Sequence, residues 1–187
     1  LSRRAGQTAM YTVLSMLTRL LAPILSFPAE EIWRAMPHAA DERTESVFLN
    51  DMPAYDEALA FPELVAHWSS LFELREDVMK ALEIARAEKL IGKSLDAKLT
   101  LYTDNDEVYE LLESFRDELA TVYIVSKAEL VRGVAPEGAY CEEGSDISVL
   151  VSAADGHKCD RCWAYSENGV ERDGGFLCER CRAIIED

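Results

Sequence analysis

The chain has 187 residues, 49% apolar and 29% charged, with 19 basic and 35 acidic side chains. That describes a globular protein with ample length for a hydrophobic core, as one large domain or two to three small ones. The net charge of −16 argues against a generic nucleic-acid coat, and the longest apolar stretch, residues 10–25, is interrupted by Ser15, Thr18, Arg19 and Pro23, so neither a membrane span nor a secretory leader is expected.

The charge is unevenly distributed. Residues 1–40 hold four basic and two acidic side chains, residues 41–156 hold 10 and 26, and residues 157–187 hold five and seven. A polyanion would therefore have to meet the two ends of the chain. The first residue is not Met and already lies in a helical pattern, which reads as a piece of something longer or a processed product.

Met10, Val13, Leu14, Leu17, Leu20, Leu21, Ile24 and Leu25 recur at helical spacing. Pro23 kinks or ends that helix. Ser26-Phe27-Pro28-Ala29-Glu30-Glu31-Ile32-Trp33 reads as a second helix start, with Pro28 in its first turn and two glutamates complementing the positive end of the dipole. Trp33 reads as core, and Pro37 closes the helix. Residues 37–61 read as a long ordered connection. A third helix is expected over residues 62–89, its stripe being Leu64, Trp68, Leu71, Phe72, Val78, Met79, Leu82 and Ala85. It is long enough to pair with the first, and Gly92 ends the helical region.

From Leu95 the period becomes two. Leu95, Ala97, Leu99 and Leu101 alternate with polar residues, as in a half-buried strand. Asp104-Asn105-Asp106-Glu107 resembles a capping box opening a helix that runs to about residue 118. Residues 121–131 read as one or two strands, and residues 147–152 as another.

Four of the five cysteines fall as Cys159-x2-Cys162-x15-Cys178-x2-Cys181, the two-knuckle pattern in which each pair gives two thiolates to one tetrahedral ion. Asn168-Gly169 is a favoured hairpin turn between the pairs, and Gly174-Gly175 turns the chain back toward the second. Lys158, Arg161, Arg180 and Arg182 interleave with the ligands and would lower their thiol pKa values. Disulfides or a redox pair are the rival readings, and one structural zinc per chain is the favoured one. With four sulfur ligands the site is closed, so catalysis at the metal is not expected. His157 is a rival ligand beside a full set. Cys141 reads as a plain loop thiol, and His38 and His67 as surface or packing residues.

Several stretches together resemble the C-terminal region of bacterial-type isoleucyl-tRNA synthetases, class I enzymes. They are residues 3–9 (Arg-Arg-Ala-Gly-Gln-Thr-Ala), residues 20–33 (Leu-Leu-Ala-Pro-Ile-Leu-Ser-Phe-Pro-Ala-Glu-Glu-Ile-Trp), residues 91–97 (Ile-Gly-Lys-Ser-Leu-Asp-Ala) and residues 158–163 (Lys-Cys-Asp-Arg-Cys-Trp). The resemblance implies a parent that uses ATP to attach isoleucine to its tRNA. The ATP-binding motifs are absent from this sequence, so no catalytic residue is expected and the chain alone should be inactive. Its share would be to grip the anticodon arm. Single-stranded bases are read by stacking and by Arg or Gln contacts. The resemblance makes Arg3, Arg4 and Gln7 candidates, with Lys158, Arg161, Trp163, Arg180 and Arg182 at the other end. Trp163 either packs over the knuckle or stacks on a base, and Arg3 and Arg4 are either contacts or a solvated face.

The expected fold is α+β, mainly α: a helical anticodon-binding region over residues 1–93, a small α/β unit over 94–154 and a four-cysteine zinc module over 155–187. The expected partners are isoleucine tRNA and the remaining synthetase domains, for a cytoplasmic monomer without membrane contact. The alternatives are a zinc-stabilised protein-interaction module, or the zinc-finger end of a formamidopyrimidine-type DNA glycosylase.

Overall fold

The computed structural model describes residues 2–172 and 174–186. They fall into two units, Leu1–Ala60 and Phe61–Asp187. Helices predominate, small sheets follow, and the cysteines lie at the C-terminal end, as the α+β reading expects.

The first unit holds α1 (Ser2–Leu21), α2 (Ser26–Ala35) and a connection with two 3-10 turns, Val47–Leu49 and Glu57–Leu59. Past the end of α1, Pro23 has no N–H to continue the ladder, and Ile24 and Leu25 both turn back to the Leu21 carbonyl. The buried face of α1 is its small, polar one: Ser15 and Thr18 are buried, as is Ala22 just past its end, with Tyr11 packed beside that core. Its larger apolar stripe, including Met10, Val13, Leu17 and Leu21, is exposed. The small core is completed by Ala29, Trp33, Met36 and Val47. Trp33 is 0% exposed and donates its indole N–H to the Arg43 carbonyl at 3.0 Å. The half-buried Glu42 ties the connection to α1, accepting from Tyr11 Oη at 2.7 Å, Ser15 Oγ at 2.9 Å and Ala39 N at 3.0 Å.

The second unit opens with α3 (Pro62–Ala87), Pro62 occupying the first turn where no N–H is needed. Its buried residues, Leu71, Val78, Ala81, Leu82 and Ala85, join the core of a three-stranded sheet. Central β1 (Ala97–Thr103) runs parallel to β2 (Lys127–Arg132) and antiparallel to β3 (Ser148–Ala153). Leu99 and Leu101 face Ala128 and Leu130 on one side and Val151 and Val149 on the other. The β1–β2 crossover carries α4 (Asp106–Ser114) and α5 (Leu119–Val122), burying Leu112, Phe115 and Leu119. Thus these residues of α3 are buried against the sheet.

Several boundaries differ from those expected, each for a local reason. The cap of α4 is Asn105, one residue later than the capping-box reading, because its Oδ1 accepts from the N–H groups of both Glu107 and Val108. The helix ends at Ser114, and a further turn at residues 119–122 takes in the first two residues of the expected 121–131 strand region. Both α3 and α5 stop in paired reverse bonds, Leu90 N to Ala85 O and Val125 N to Ala120 O, each 2.9 Å. The turning residues, Lys89 at φ 62° and Ile124 at φ 58°, occupy the left-handed position usually given to glycine.

The C-terminal part carries four short strands: β4 (His157–Lys158) paired with β5 (Tyr165–Ser166), and β6 (Gly169–Arg172) paired with β7 (Gly175–Cys178). Helix α6 (Glu179–Glu186) ends it. The hairpin turn therefore lies between β6 and β7, at Gly174. Asn168-Gly169 instead passes the chain from one ladder to the other, which corrects the expected turn.

Candidate functional site

The cysteines sit where short strands give way to turns. Cys159 directly follows β4, and the turn returns as Trp163 N donates to Cys159 O at 2.8 Å and Cys159 N to Ala164 O at 2.9 Å. Cys178 is the last residue of β7, and Cys181 lies on the first turn of α6. Asp160 joins the two halves: its N–H donates to Phe176 O at 3.0 Å, and its carboxylate accepts from Phe176 N at 2.9 Å. A Cβ on Gly175 would fall 2.1 Å from that carboxylate, so the latch requires glycine there. Nothing in the spacing of the cysteines pointed to Asp160, although an Asp in a turn is a familiar acceptor for backbone N–H groups.

The four Sγ atoms lie within 4.8 Å of one another, and Cys162 and Cys178 are 3.7 Å apart. Ligand bonds of about 2.3 Å in a tetrahedron require sulfur separations of about 3.8 Å. All five cysteines are free thiols, and Cys159, Cys178 and Cys181 are buried, with Cys162 half-buried. His157 is not among the clustered ligands; its ring lies against Phe176, centroids 5.4 Å apart.

Crowding splits the titration of the thiols. Burial works against the Cys159 thiolate, but the N–H groups of Cys162, Cys178 and Arg161 outweigh it and bring the pKa to about 6. At Cys178 burial dominates, and neighbouring sulfurs add to it, giving about 12. Four thiolates this close require a cation among them, so the donor set fits a metal ion.

The expected RNA-contacting residues divide into four groups. Arg161 and Arg180 serve the sulfurs: Arg161 Nη1 lies 3.7 Å from Cys181 Sγ, and hydrogen bonding to Cys162 raises the Arg180 pKa above its ordinary value. Arg182 is half-buried, with ion-pair distances of 4.0 Å to Glu179 and 3.7 Å to Glu186. Lys158 is exposed, as are Arg3, Arg4 and Gln7 on the first turns of α1, where no acidic residue accompanies them. Trp163 is 60% exposed and takes φ 65°. Of the residues read as structural, His38 lies against Trp33, His67 against Phe115, and Cys141 is exposed.

Fold and site together define a mainly helical module ending in a closed, all-sulfur site for a metal ion. A family profile described as the anticodon-binding domain of tRNA ligase matches residues 2–101, and the chain belongs to that family. Among curated relatives, the isoleucine–tRNA ligase of Caldanaerobacter subterraneus is 45% identical over 99% of this chain. That of Syntrophotalea carbinolica is 45% identical over 100%, and that of Kosmotoga olearia 41% over 98%. The chain spans about a fifth of their length: 20%, 20% and 19% respectively. Among the described residues, no helix is long and apolar enough to cross a membrane.

Proposed function

We propose that this chain is the anticodon-reading part of an isoleucine–tRNA ligase, with one structural zinc ion held by Cys159, Cys162, Cys178 and Cys181. The observation that carries the reading is similarity to such ligases along essentially the whole chain, metal-site end included. The parent would use ATP and isoleucine in a catalytic part outside this sequence, as a cytoplasmic monomer. In this reading residues 1–93 are the helical anticodon-binding region, 94–154 the connecting α/β unit and 155–187 the zinc module. The exposed apolar stripe of α1 supports a role in docking on the remaining domains.

Bound zinc would supply no reaction step, only a fixed scaffold. Trp163 offers a ring face to an unstacked base, and Lys158 a charge beside it. Arg161 and Arg180 neutralise the sulfur cluster, letting an anionic strand approach the module. At the other end, Arg3 and Arg4 are exposed cations without an acidic neighbour in the same turn, a pairing suited to phosphate contact. The family match does not favour the glycosylase or protein-interaction alternatives.

The test is binding of this chain to isoleucine tRNA and to a copy with its anticodon replaced, at two salt concentrations. Preference for the native anticodon, with affinity falling as salt rises, is expected. Equal affinity for both RNAs would contradict the proposal.

A further inference from the structure

A cleft of about 400 Å3 lies within the second unit, between the α5–β2 turn and the metal module. Its inner wall is apolar, formed by Leu95, Ala120, Val125 and Ala164. Its outer rim is polar, with Asn168 and Glu179. The two walls are tied together: Ser126 Oγ accepts from Tyr165 N at 2.7 Å and donates to the Leu95 carbonyl. The cleft is therefore preformed, within the volume range of small-molecule and cofactor pockets.

Its chemistry narrows the occupant. The Asn168 backbone is engaged through its N–H with Ser166 Oγ and its carbonyl with Glu179 N, while its side-chain amide has no hydrogen-bond partner among the described residues. The Glu179 carboxylate meets Arg182 only at 4.0 Å, beyond hydrogen-bond range. The lining also holds Cys162 and Cys178 of the metal site and one cation, Arg180. The cleft thus offers an apolar wall, an amide and a carboxylate, with Arg180 set among the sulfurs and Glu179. Phosphate is disfavoured, whereas a planar, uncharged ring bearing N–H donors is matched. At the lip stands Ile124, a β-branched residue in the left-handed region with its side chain 55% exposed. Backbone strain of this sort concentrates where a surface is shaped for binding.

We propose that this cleft is a base pocket. One unstacked nucleobase bearing an exocyclic amino group lies against the apolar wall, donates to Glu179 and is edge-read by the Asn168 amide. The proposal rests on the anticodon reading above and assigns it a specific subsite.

The experiment titrates the whole zinc-loaded chain with an RNA hairpin that copies the isoleucine anticodon arm. Amide chemical shifts and Kd are the readouts. Shifts are expected at residues 120–126 and 164–168. Thr121→Trp, which fills the cleft from an exposed lining position, and Asn168→Ala should each weaken binding about tenfold, with zinc content and circular dichroism unchanged. Shift mapping on the unsubstituted chain keeps the test valid if Thr121→Trp fails to fold. Binding whose shifts lie elsewhere, with Asn168→Ala within about twofold of the parent chain, would overturn the base pocket and leave the anticodon reading intact. No binding by the unsubstituted chain would overturn both.

Discussion

At residue 163 a bulky aromatic, 60% exposed, occupies a left-handed backbone position that glycine would take without strain. Such a residue costs the fold about 1 kcal/mol relative to glycine. We expect Trp163→Gly to hold or raise unfolding stability by about that amount, while RNA affinity falls by about 1–3 kcal/mol through lost stacking. Denaturant titration and RNA binding on the same variant check this; unchanged RNA affinity would assign the ring no role in recognition. Glu42 makes a second residue-scale prediction. Its burial raises the pKa, but hydrogen bonds from Tyr11, Ala39, Ser15 and His38 outweigh that and hold it below the usual carboxylate range. A depressed folded-state pKa gives stability that is present above the unfolded value, about 4.3, and is lost as pH falls through the folded one. Hydrogen-exchange protection in α1 and α2, relative to the intrinsic rate at each pH, should therefore fall below about pH 4. Glu42→Ala should cost about 2–3 kcal/mol at neutral pH and remove that acid dependence. At this scale the four ligands were legible in the sequence, because spacing alone places two sulfurs on each tight turn. That Arg161 and Arg180 serve the sulfurs was also legible, since they interleave with the ligands; which sulfur each takes was not, because Arg161 meets Cys181 and Arg180 meets Cys162 across the fold.

Among the elements, the long helices and the central strand followed from periodicity, since α3 and β1 each bury one repeating set of side chains in a common core. Their ends were less legible. Sequence reading looks for glycine at a helix stop, yet α3 turns at Lys89 and α5 at Ile124. The missed stop at Ile124 made residues 121–131 look continuous and β-friendly. The expected hairpin at Asn168-Gly169 failed for a different reason: β5 before it pairs with β4 and β6 after it pairs with β7, so two separate ladders meet there. Gly156 is the element-scale position most sensitive to change. It takes φ +90° between β3 and β4, and a Cβ there would fall 2.3 Å from the Ser166 carbonyl oxygen. Gly156→Val should destabilise the metal module by at least about 2 kcal/mol. Faster exchange across residues 157–172 and easier metal loss to a chelator, with the β1–β3 sheet still protected, are the expected readouts.

Across the whole molecule, a net charge of −16 and RNA recognition are compatible if contact is confined to surfaces where the acid is absent or offset. The neutral ends supply them: the first turns of α1, and a metal module whose arginines balance its sulfurs. The apolar stripe of α1 was legible as a helix but not as an exposed face, since periodicity shows that a face is apolar and not what covers it. The central claim is that the sulfur cluster organises the surface that reads the anticodon. Its most direct test is the ratio of affinities for isoleucine tRNA and the anticodon-replaced copy, measured with the metal in place and again after chelation. We predict one zinc per chain, a clear preference with metal, and loss of that preference on chelation as residues 157–172 lose exchange protection. A metal-free chain that keeps the same preference would contradict it.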